Sequence, residues 1–578
     1  MELKDWGLDT LGNDIWRKKY QQNNESFDEW LDRVSGGDKE VKQLIVDKKF
    51  LFGGRILASR GITDRKVTYS NCYVLPQVED SIEGIYDTAK HLARTFSYGG
   101  GVGIDISKLR PKGSPVNNAA KTTSGAVSFM DTFSQVSSVI GQAGRRGALM
   151  ISMDCYHPDI EDFIDAKKNT NKLEGCNISV RTDGDFIKNS PLMHKLAENN
   201  WDYAEPGILY WDNINNHNLL SEYIKNGEFK YAGVNPCAEE PLPAGGSCLL
   251  GAINLSEFIK KPFTDEAYFD IIAFRKAVKI AIRALNDVLD EGLELHPLDI
   301  QRKTVREWRQ IGLGIMGFAD MLIKCGVAYG SEESLAAIDE IGQAMNEAGL
   351  LTSAELAKEK GAFDKFDPEL ILDSEFMQHI NDFDIIDEIY DQGLRNSQLF
   401  TIAPTGSIST MLGVSGGVEP LFDVEYTRTT KSLHGEDKTY RVLSPIVEQC
   451  MLARNIRGDY PPEVVWSKTI NPFNRVDVQA QWQIYIDASI SSTVNLPNST
   501  TVEEVENLYR YAYEAGCKGL TIFRDGCART AILNSAPEEP KEQPQESKLD
   551  SIQPITRADM GDRLEGATYV RQTACGKL

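Results

Sequence analysis

No apolar run in the sequence approaches the roughly 20 residues that cross a bilayer, so membrane insertion is not expected. The opening stretch MELKDWGLDTLGNDIW has neither the basic start nor the apolar core of a secretory signal, and a cytoplasmic setting is the expectation. None of the ten cysteines is paired as CxxC, the seven histidines are scattered and HExxH is absent, so no metal site is expected. GxxxxGK[ST] is missing, which removes a P-loop. The glycines from Gly99 to Gly103 precede an apolar strand instead of joining a strand to a helix, which argues against a dinucleotide fold. No glycine radical loop is seen near the C-terminus. Positive charge is also scarce: a net charge of −23 excludes nucleic acid as a partner, because gripping a phosphate backbone needs a basic surface.

What is present reads as a large α/β enzyme. Residues 1–62 form a helical N-terminal segment, with Trp16, Phe27, Trp30, Leu31 and Val34 spaced as an apolar stripe and Gly36–Gly37 as its stop. Across 63–530 short β-type runs alternate with longer helical patterns, the mark of a mixed α/β domain. Expected strands include Val102–Ile106, Ala148–Met153, Cys176–Arg181, Gln398–Ala403, Ser492–Leu496 and Gly519–Phe523. Expected helices cover about 84–97, 125–140, 268–291, 306–324, 333–360 and 502–515. Residues 531–560, rich in Pro, Glu, Gln and Ser, read as a disordered linker, and 561–578 regain β character as the start of a truncated C-terminal module.

Three segments carry chemistry: Ser70-Asn71-Cys72-Tyr73-Val74-Leu75-Pro76, then Asn235-Pro236-Cys237-Ala238-Glu239 with Cys248 beyond it, then Ala403-Pro404-Thr405-Gly406-Ser407-Ile408-Ser409-Thr410. A lone cysteine in a Pro-containing turn is usually just buried. Here a carboxamide stands two residues before it and a carboxylate two residues after, so in extended backbone Asn235, Cys237 and Glu239 face one way and can converge on a small ligand. That set suits radical sugar chemistry, with sulfur taking a hydrogen atom, a carboxylate a proton and an amide orienting the sugar. The third segment runs from a strand into a helix N-terminus, where amides and the Thr405, Ser407 and Ser409 hydroxyls bind phosphate oxygens without lysine; ordinary helix capping is the competing use.

NPCAEEPLP with a second cysteine eleven residues on, NCYVLP, APTGSIST, ISSTVNLP and GLTIFRDG occur in one order and together resemble ribonucleotide reductase large chains, over about residues 50–530. The resemblance implies a ten-stranded α/β barrel in two antiparallel-related halves with a central finger loop carrying Cys237 at its tip. It implies that Cys237 is the thiyl radical, that Glu239 is the base for the 3′ hydroxyl and that Asn235 is the sugar-binding amide. Cys72 and Cys248 match the dithiol that supplies two electrons, which requires their Cα atoms to lie within about 7 Å. Ser70 and Asn71 are expected at the substrate, and Thr405, Gly406, Ser407, Ile408 and Ser409 at its phosphates. Asp80, Lys108 and Arg110 are expected to bind a deoxynucleotide or ATP effector, Arg145 and Arg146 to relay its identity, and a homodimer is implied.

The place where partner-dependent members carry two stacked tyrosines reads Ile522-Phe523 here. The tail LEGATYVRQTACGKL resembles the start of the C-terminal module of adenosylcobalamin-dependent (class II) members, so adenosylcobalamin is the expected cofactor. The alternative is a class I large subunit needing a separate metal-radical subunit. Cys575 stands without a second C-terminal cysteine, so a thioredoxin-like reductant is expected to act on Cys72–Cys248, and no ATP-cone-like segment is seen.

Overall fold

The computed structural model describes residues 2–140, 147–168, 172–430, 438–528, 533–535, 572–573 and 576–577. Met1–Ser535 form one compact unit and Ala536–Leu578 a second, of which the described part is a hairpin of Gln572–Thr573 with Gly576–Lys577.

The first unit is built round a ring of strand pairings. After β1 (Phe50–Phe52), the strands β2 (Cys72–Val74), β3 (Gly101–Asp105), β4 (Leu149–Asp154), β5 (Asn177–Thr182) and β6 (Gly207–Tyr210) pair in parallel, each with the next. Between the two halves a short hairpin of β7 (Gly233–Val234) and β8 (Pro241–Leu242) projects. Next come β9 (Ser247–Cys248), antiparallel to β2, and β10 (Leu250–Asn254), parallel to β11 (Gly312–Met316). Single parallel bridges at Leu313–Phe400 and Ile402–Ile490 continue the series, β12 (Thr493–Leu496) lies parallel to β13 (Gly519–Arg524), and β13 returns antiparallel to β6. Counting β9 and β10 as one strand and the extended 398–402 segment as another, ten strands run round in two parallel halves joined by two antiparallel seams, as expected.

Helices cover the ring because their sequences are striped and capped. The helix Ile82–Ser97 starts where Ser81 accepts the Gly84 N–H at 2.9 Å, and it buries Ile85, Leu92 and Phe96 against the first half, with Phe133 and Met153 in the same core. The N-terminal helices bury Trp16, Trp30 and Leu31 in a second core shared with β10, β11 and Phe400. At about 1.5–3 kcal/mol for each such side chain, this burial ties residues 1–62 to the main body.

Three expectations need correction. The stretch 306–324 is not one helix: Asp299–Trp308 is helical, β11 intervenes and Phe318–Cys325 resumes the helix. The run GLGIM is apolar throughout because a parallel strand covered on both faces is, and a continuous apolar run does not distinguish strand from buried helix. Gln398–Ala403 is extended but held by the two isolated bridges only. The linker cannot begin at 531, since Leu533–Ser535 is a strand paired with Glu425–Thr430 in the first unit.

Candidate active site

The loop 235–240 at the end of the β7–β8 hairpin is pinned from both halves of the ring. Asn235 N–H donates to the Glu240 carbonyl at 3.1 Å, and Glu240 N–H to Asn235 Oδ1 at 3.1 Å, so the tip closes on itself. On one side Asn177 Nδ2 donates to the Pro236 carbonyl at 3.3 Å, and on the other Thr401 Oγ1 and Ser489 N–H donate to the Glu239 carbonyl at 2.7 and 3.0 Å. β3 can lie this close only because Gly103 has no side chain: a methyl there would overlap the Val234 carbonyl oxygen. Ala238 takes a left-handed φ of 65°, a conformation that costs a non-glycine residue about 1–2 kcal/mol and that the surrounding contacts hold in place.

The loop presents Cys237 to a cavity of about 590 Å³. By area the cysteine is exposed, but the space it faces is this cavity and protein surrounds it, so burial, and then Glu239, push its thiol well above the usual range. It is therefore a neutral S–H donor and not a thiolate nucleophile. Burial raises the Glu239 carboxyl to about 7, against its own backbone and the Asn235 amide, which pull it down. Asn235 Nδ2 and Glu239 Oε2 are both buried without a hydrogen-bond partner, the state of groups that await a ligand. Cys72 and Cys248 are direct partners across the antiparallel seam, which sets their Cα atoms roughly 4.5–5.5 Å apart. Cys72 also lies close enough to Cys237 to contribute to the rise in its thiol pKa.

The helix Gly406–Leu412 turns one face, Gly406, Ser409, Thr410 and then Gly413, to the same cavity. Thr405 begins it at a φ of 52°, its hydroxyl accepting the Gly417 N–H at 3.0 Å, while Ile408 anchors the far face in the core. Among the described residues no Lys, Arg or His lines the cavity. Two of its carboxylates are occupied: Glu419 accepts from Thr493 N–H at 2.9 Å and Arg475 at 2.8 Å, and Asp320 from Ser415 N–H at 2.8 Å.

Against this geometry stands the comparison with known proteins. A family model described as the ribonucleotide reductase barrel domain matches residues 70–190 and 182–523. The chain belongs to the ribonucleotide reductase large-chain family. It is 34% identical over 525 residues to a vitamin B12-dependent ribonucleoside-diphosphate reductase of Thermoplasma acidophilum, covering 83% of this chain and 64% of that one. With a protein of the same description from Mycobacterium tuberculosis it shares 30% identity, covering 82% and 70%. The chain thus spans about two thirds of the length of these relatives. In fold it is similar to the Actinobacillus ureae class Id ribonucleotide reductase alpha subunit, with a TM-score of 0.74 at 22% identity over 90% of this chain and 98% of the other.

Within this reductase fold the expected residues fall into three groups. Asn235, Cys237, Glu239, Cys72 and Cys248 come together, and Cys237 shares the cavity with Gly406 and Ser409 of the phosphate segment, whereas Thr405, Ser407 and Ile408 do not line it. Ser70 and Asn71 do not line it: Ser70 donates to Ser247 Oγ at 3.1 Å and Asn71 Oδ1 accepts the Arg55 N–H at 3.3 Å, so both support the seam behind the cysteines. Asp80 and Arg110 form an ion pair at 2.7 Å on the surface with Lys108 exposed nearby in sequence, whereas Arg145 and Arg146 lie outside the described residues.

Two features escaped the sequence. Glu240 is fully buried, bonded to Gln398, which in turn accepts from Gln310 at 3.0 Å; burial and then Glu239 hold its carboxyl well above the usual range, so it is neutral. The helix Thr10–Ile15 packs on Gly406–Leu412, Gly12 passing so close that a methyl there would sit 2.5 Å from the Met411 carbonyl, and Asp9 and Leu11 complete the cavity wall. No spacing signal links positions 400 residues apart.

Proposed function

We propose that the chain reduces ribonucleoside diphosphates to 2′-deoxyribonucleotides by thiyl-radical chemistry, with adenosylcobalamin as the radical source. One observation carries the reading: a neutral cysteine at a loop tip facing the cavity, beside an amide nitrogen and a carboxyl oxygen that are buried without partners, shares its surroundings with a facing cysteine pair. Cys237 as a thiyl takes the ribose 3′ hydrogen and returns it at the end. Glu239, poised near neutral pH, takes the 3′-hydroxyl proton, and Asn235 orients the sugar. As the 2′ hydroxyl leaves as water, Cys72 and Cys248 supply two electrons and become a disulfide. The Thr405–Ser409 turn holds the phosphates through its amides and hydroxyls; the likeness to two ribonucleoside-diphosphate reductases favours a diphosphate.

The cavity suits the cofactor. No tyrosine or tryptophan lines it among the described residues, only Phe422 and Phe523 of the aromatics, so no redox-active ring is on hand to pass a radical in from a partner subunit. Room lies beside Cys237, and Ser492 Oγ in the wall is buried and unpartnered. Ser179, Glu205, Ser492, Thr521 and Asp525 would hold the adenosyl end there. When bound, the cofactor supplies a carbon-centred radical by cobalt–carbon homolysis. The chain's own task is to keep water and oxygen from that space.

A deoxynucleotide or ATP effector at Asp80, Lys108 and Arg110, with Arg145 and Arg146 as its relay, a homodimer, a thioredoxin-like reductant and a cytoplasmic setting complete the reading. No helix among the described residues is long and apolar enough to cross a membrane. The test is an anaerobic assay of the isolated chain with CDP, dithiothreitol and adenosylcobalamin. Formation of dCDP is expected; no product without a metal-radical subunit, and product with one, would assign the chain to class I.

A further inference from the structure

The chemistry at the finger leaves Glu240 without a task, yet the loop is built around it. Its backbone closes the tip twice: Asn235 N–H donates to its carbonyl, and its own N–H donates to Asn235 Oδ1, each at 3.1 Å. The second bond decides which way the Asn235 carboxamide faces. With Oδ1 committed to the loop, Nδ2 is left buried and unpartnered near the Glu239 carboxyl, which the amide pulls down against the effect of burial.

The Glu240 side chain does not line the cavity. It lies over β11 at Gly312, where a methyl would fall 2.5 Å from Glu240 Oε1 and 2.9 Å from Leu250 Cδ2, so the missing side chain makes the space for the carboxyl. Oε2 accepts from the Gln398 amide, whose own oxygen accepts from Gln310 at 3.0 Å, and Oε1 is buried without a partner. Gln398 and Thr401 belong to one extended segment, which thus holds the Glu240 side chain through the first and the Glu239 carbonyl through the second. The titratable groups that face Glu240 are Glu239 on the loop, Asp487 ahead of Ser489, Cys72 on β2, Cys248 on β9 and Tyr231 before β7. None is a cation. Lys518, beside Asp487, donates to the carbonyls of Asp487 and Ala488 and is turned to them.

We propose that Glu240 is a positioning residue, which latches the rear of the finger to Gln398 and so fixes the Asn235 carboxamide that orients the sugar and steadies Glu239. The inference rests on the reading of Glu239 as the base and of Asn235 as the sugar-binding amide. Glu240 does this as a neutral acid, since burial and then Glu239 hold its proton on. A charged latch would not serve: a second anion one residue from Glu239 would raise the base further and keep it protonated. An apolar latch would leave the Gln398 amide unpaired in the core. Glutamine should therefore stand in for Glu240, and alanine should not.

Infrared spectra of the full chain read this without turnover. A protonated carboxyl absorbs clear of the amide and carboxylate bands, and differences between variants assign each band, which separates Glu239 and Glu240 from Asp320 and Asp487, also buried with raised carboxyls. The band removed by Glu239→Gln is expected to fade as pH rises through about 7, and its absence would sink the reading of Glu239 as the base. The band removed by Glu240→Gln is expected to persist above that range. Glu240→Gln should leave the Glu239 midpoint in place. Glu240→Ala, and Gln398→Asn from the other side of the latch, should raise it by about 0.5 pH unit or more, because the Asn235 amide no longer pulls it down. The same two variants should lose about 10- to 100-fold in turnover, which Glu240→Gln recovers. If the alanine variant does not fold, Gln398→Asn decides alone. A Glu239 midpoint that falls in Glu240→Gln would mean that Glu240 carries charge, and one that is unmoved or lowered when the latch is cut would mean that it positions nothing. Either result overturns the inference and leaves Glu239 as the base.

Discussion

The finger loop at 235–240 and the surface site at Asp80 and Arg110 are both irregular backbone, and they are held in opposite ways. The finger has no regular ladder beyond two residues a side, yet its backbone is clamped by Asn177, Thr401 and Ser489 and the side chains of Asn235, Glu239 and Glu240 are buried. Asp80 and Arg110 meet at 2.7 Å, but with 34% and 40% of their side chains exposed, in solvent that screens them. A loop gains rigidity from where its polar groups end, and only the first of these two is placed to hold atoms against a reacting centre.

The contrast breaks most sharply at the tip. Replacing Cys237 by serine is expected to lower turnover by on the order of 10³-fold or more, because the proposed hydrogen-atom acceptor is gone, while nucleotide affinity in equilibrium dialysis stays put. Turnover near the parent level would end the assignment. Replacing Glu239 by glutamine should cost about 10²- to 10⁴-fold. The parent rate should climb as pH rises through about 7 and the residual rate of the variant should not.

The same substitution carries a stability signature with a definite sign. Folding raises this carboxyl from 4.5 to about 7, so the folded chain binds the proton more tightly; that stabilisation is complete below about pH 4.5 and is lost as pH climbs through 7. Glu239→Gln cannot ionise, and denaturant melts should find it up to about 3 kcal/mol more stable relative to the parent at pH 8 than at pH 4.5. A pH-independent difference would mean that Glu239 is not kept neutral. Third, Gly103→Ala should destabilise by about 3 kcal/mol, since β3 and the finger cannot both keep their places. Last, Asp80→Ala should change stability by under about 1 kcal/mol, less still in 1 M salt, and a loss comparable to that of Gly103→Ala would erase the distinction between the two regions.

How much of this was legible in sequence follows the same divide. Asn235, Cys237 and Glu239 were picked out by their spacing on the premise of extended backbone, whereas 235–240 closes into a turn with Ala238 left-handed; Cys72 and Cys248 came from resemblance to one family. The strand positions followed from short apolar runs, except where GLGIM between two helices had the same composition in either state, and the strand arrangement came from the family resemblance. Ser70 and Asn71, expected at the substrate from their place beside Cys72, bond to Ser247 and Arg55 at the seam, since sequence proximity does not fix which way a side chain points. Glu240 was passed over beside Glu239 because nothing local says which of two adjacent carboxylates is packed behind the loop, and the reach of Gly12 to Met411 depends wholly on tertiary packing.

The antiparallel seam between β6 and β13 has a consequence for how the molecule is made. Its strands lie some 300 residues apart, and β13 follows the finger loop by roughly 280 residues. At a ribosomal pace of about 5–20 residues per second, the cysteine at the tip exists for roughly 15–55 s before the wall that encloses it has been synthesised. The nascent chain therefore carries an unshielded thiol through about half of its own translation, and a safe moment to load a radical-forming cofactor comes only after the last strand has docked.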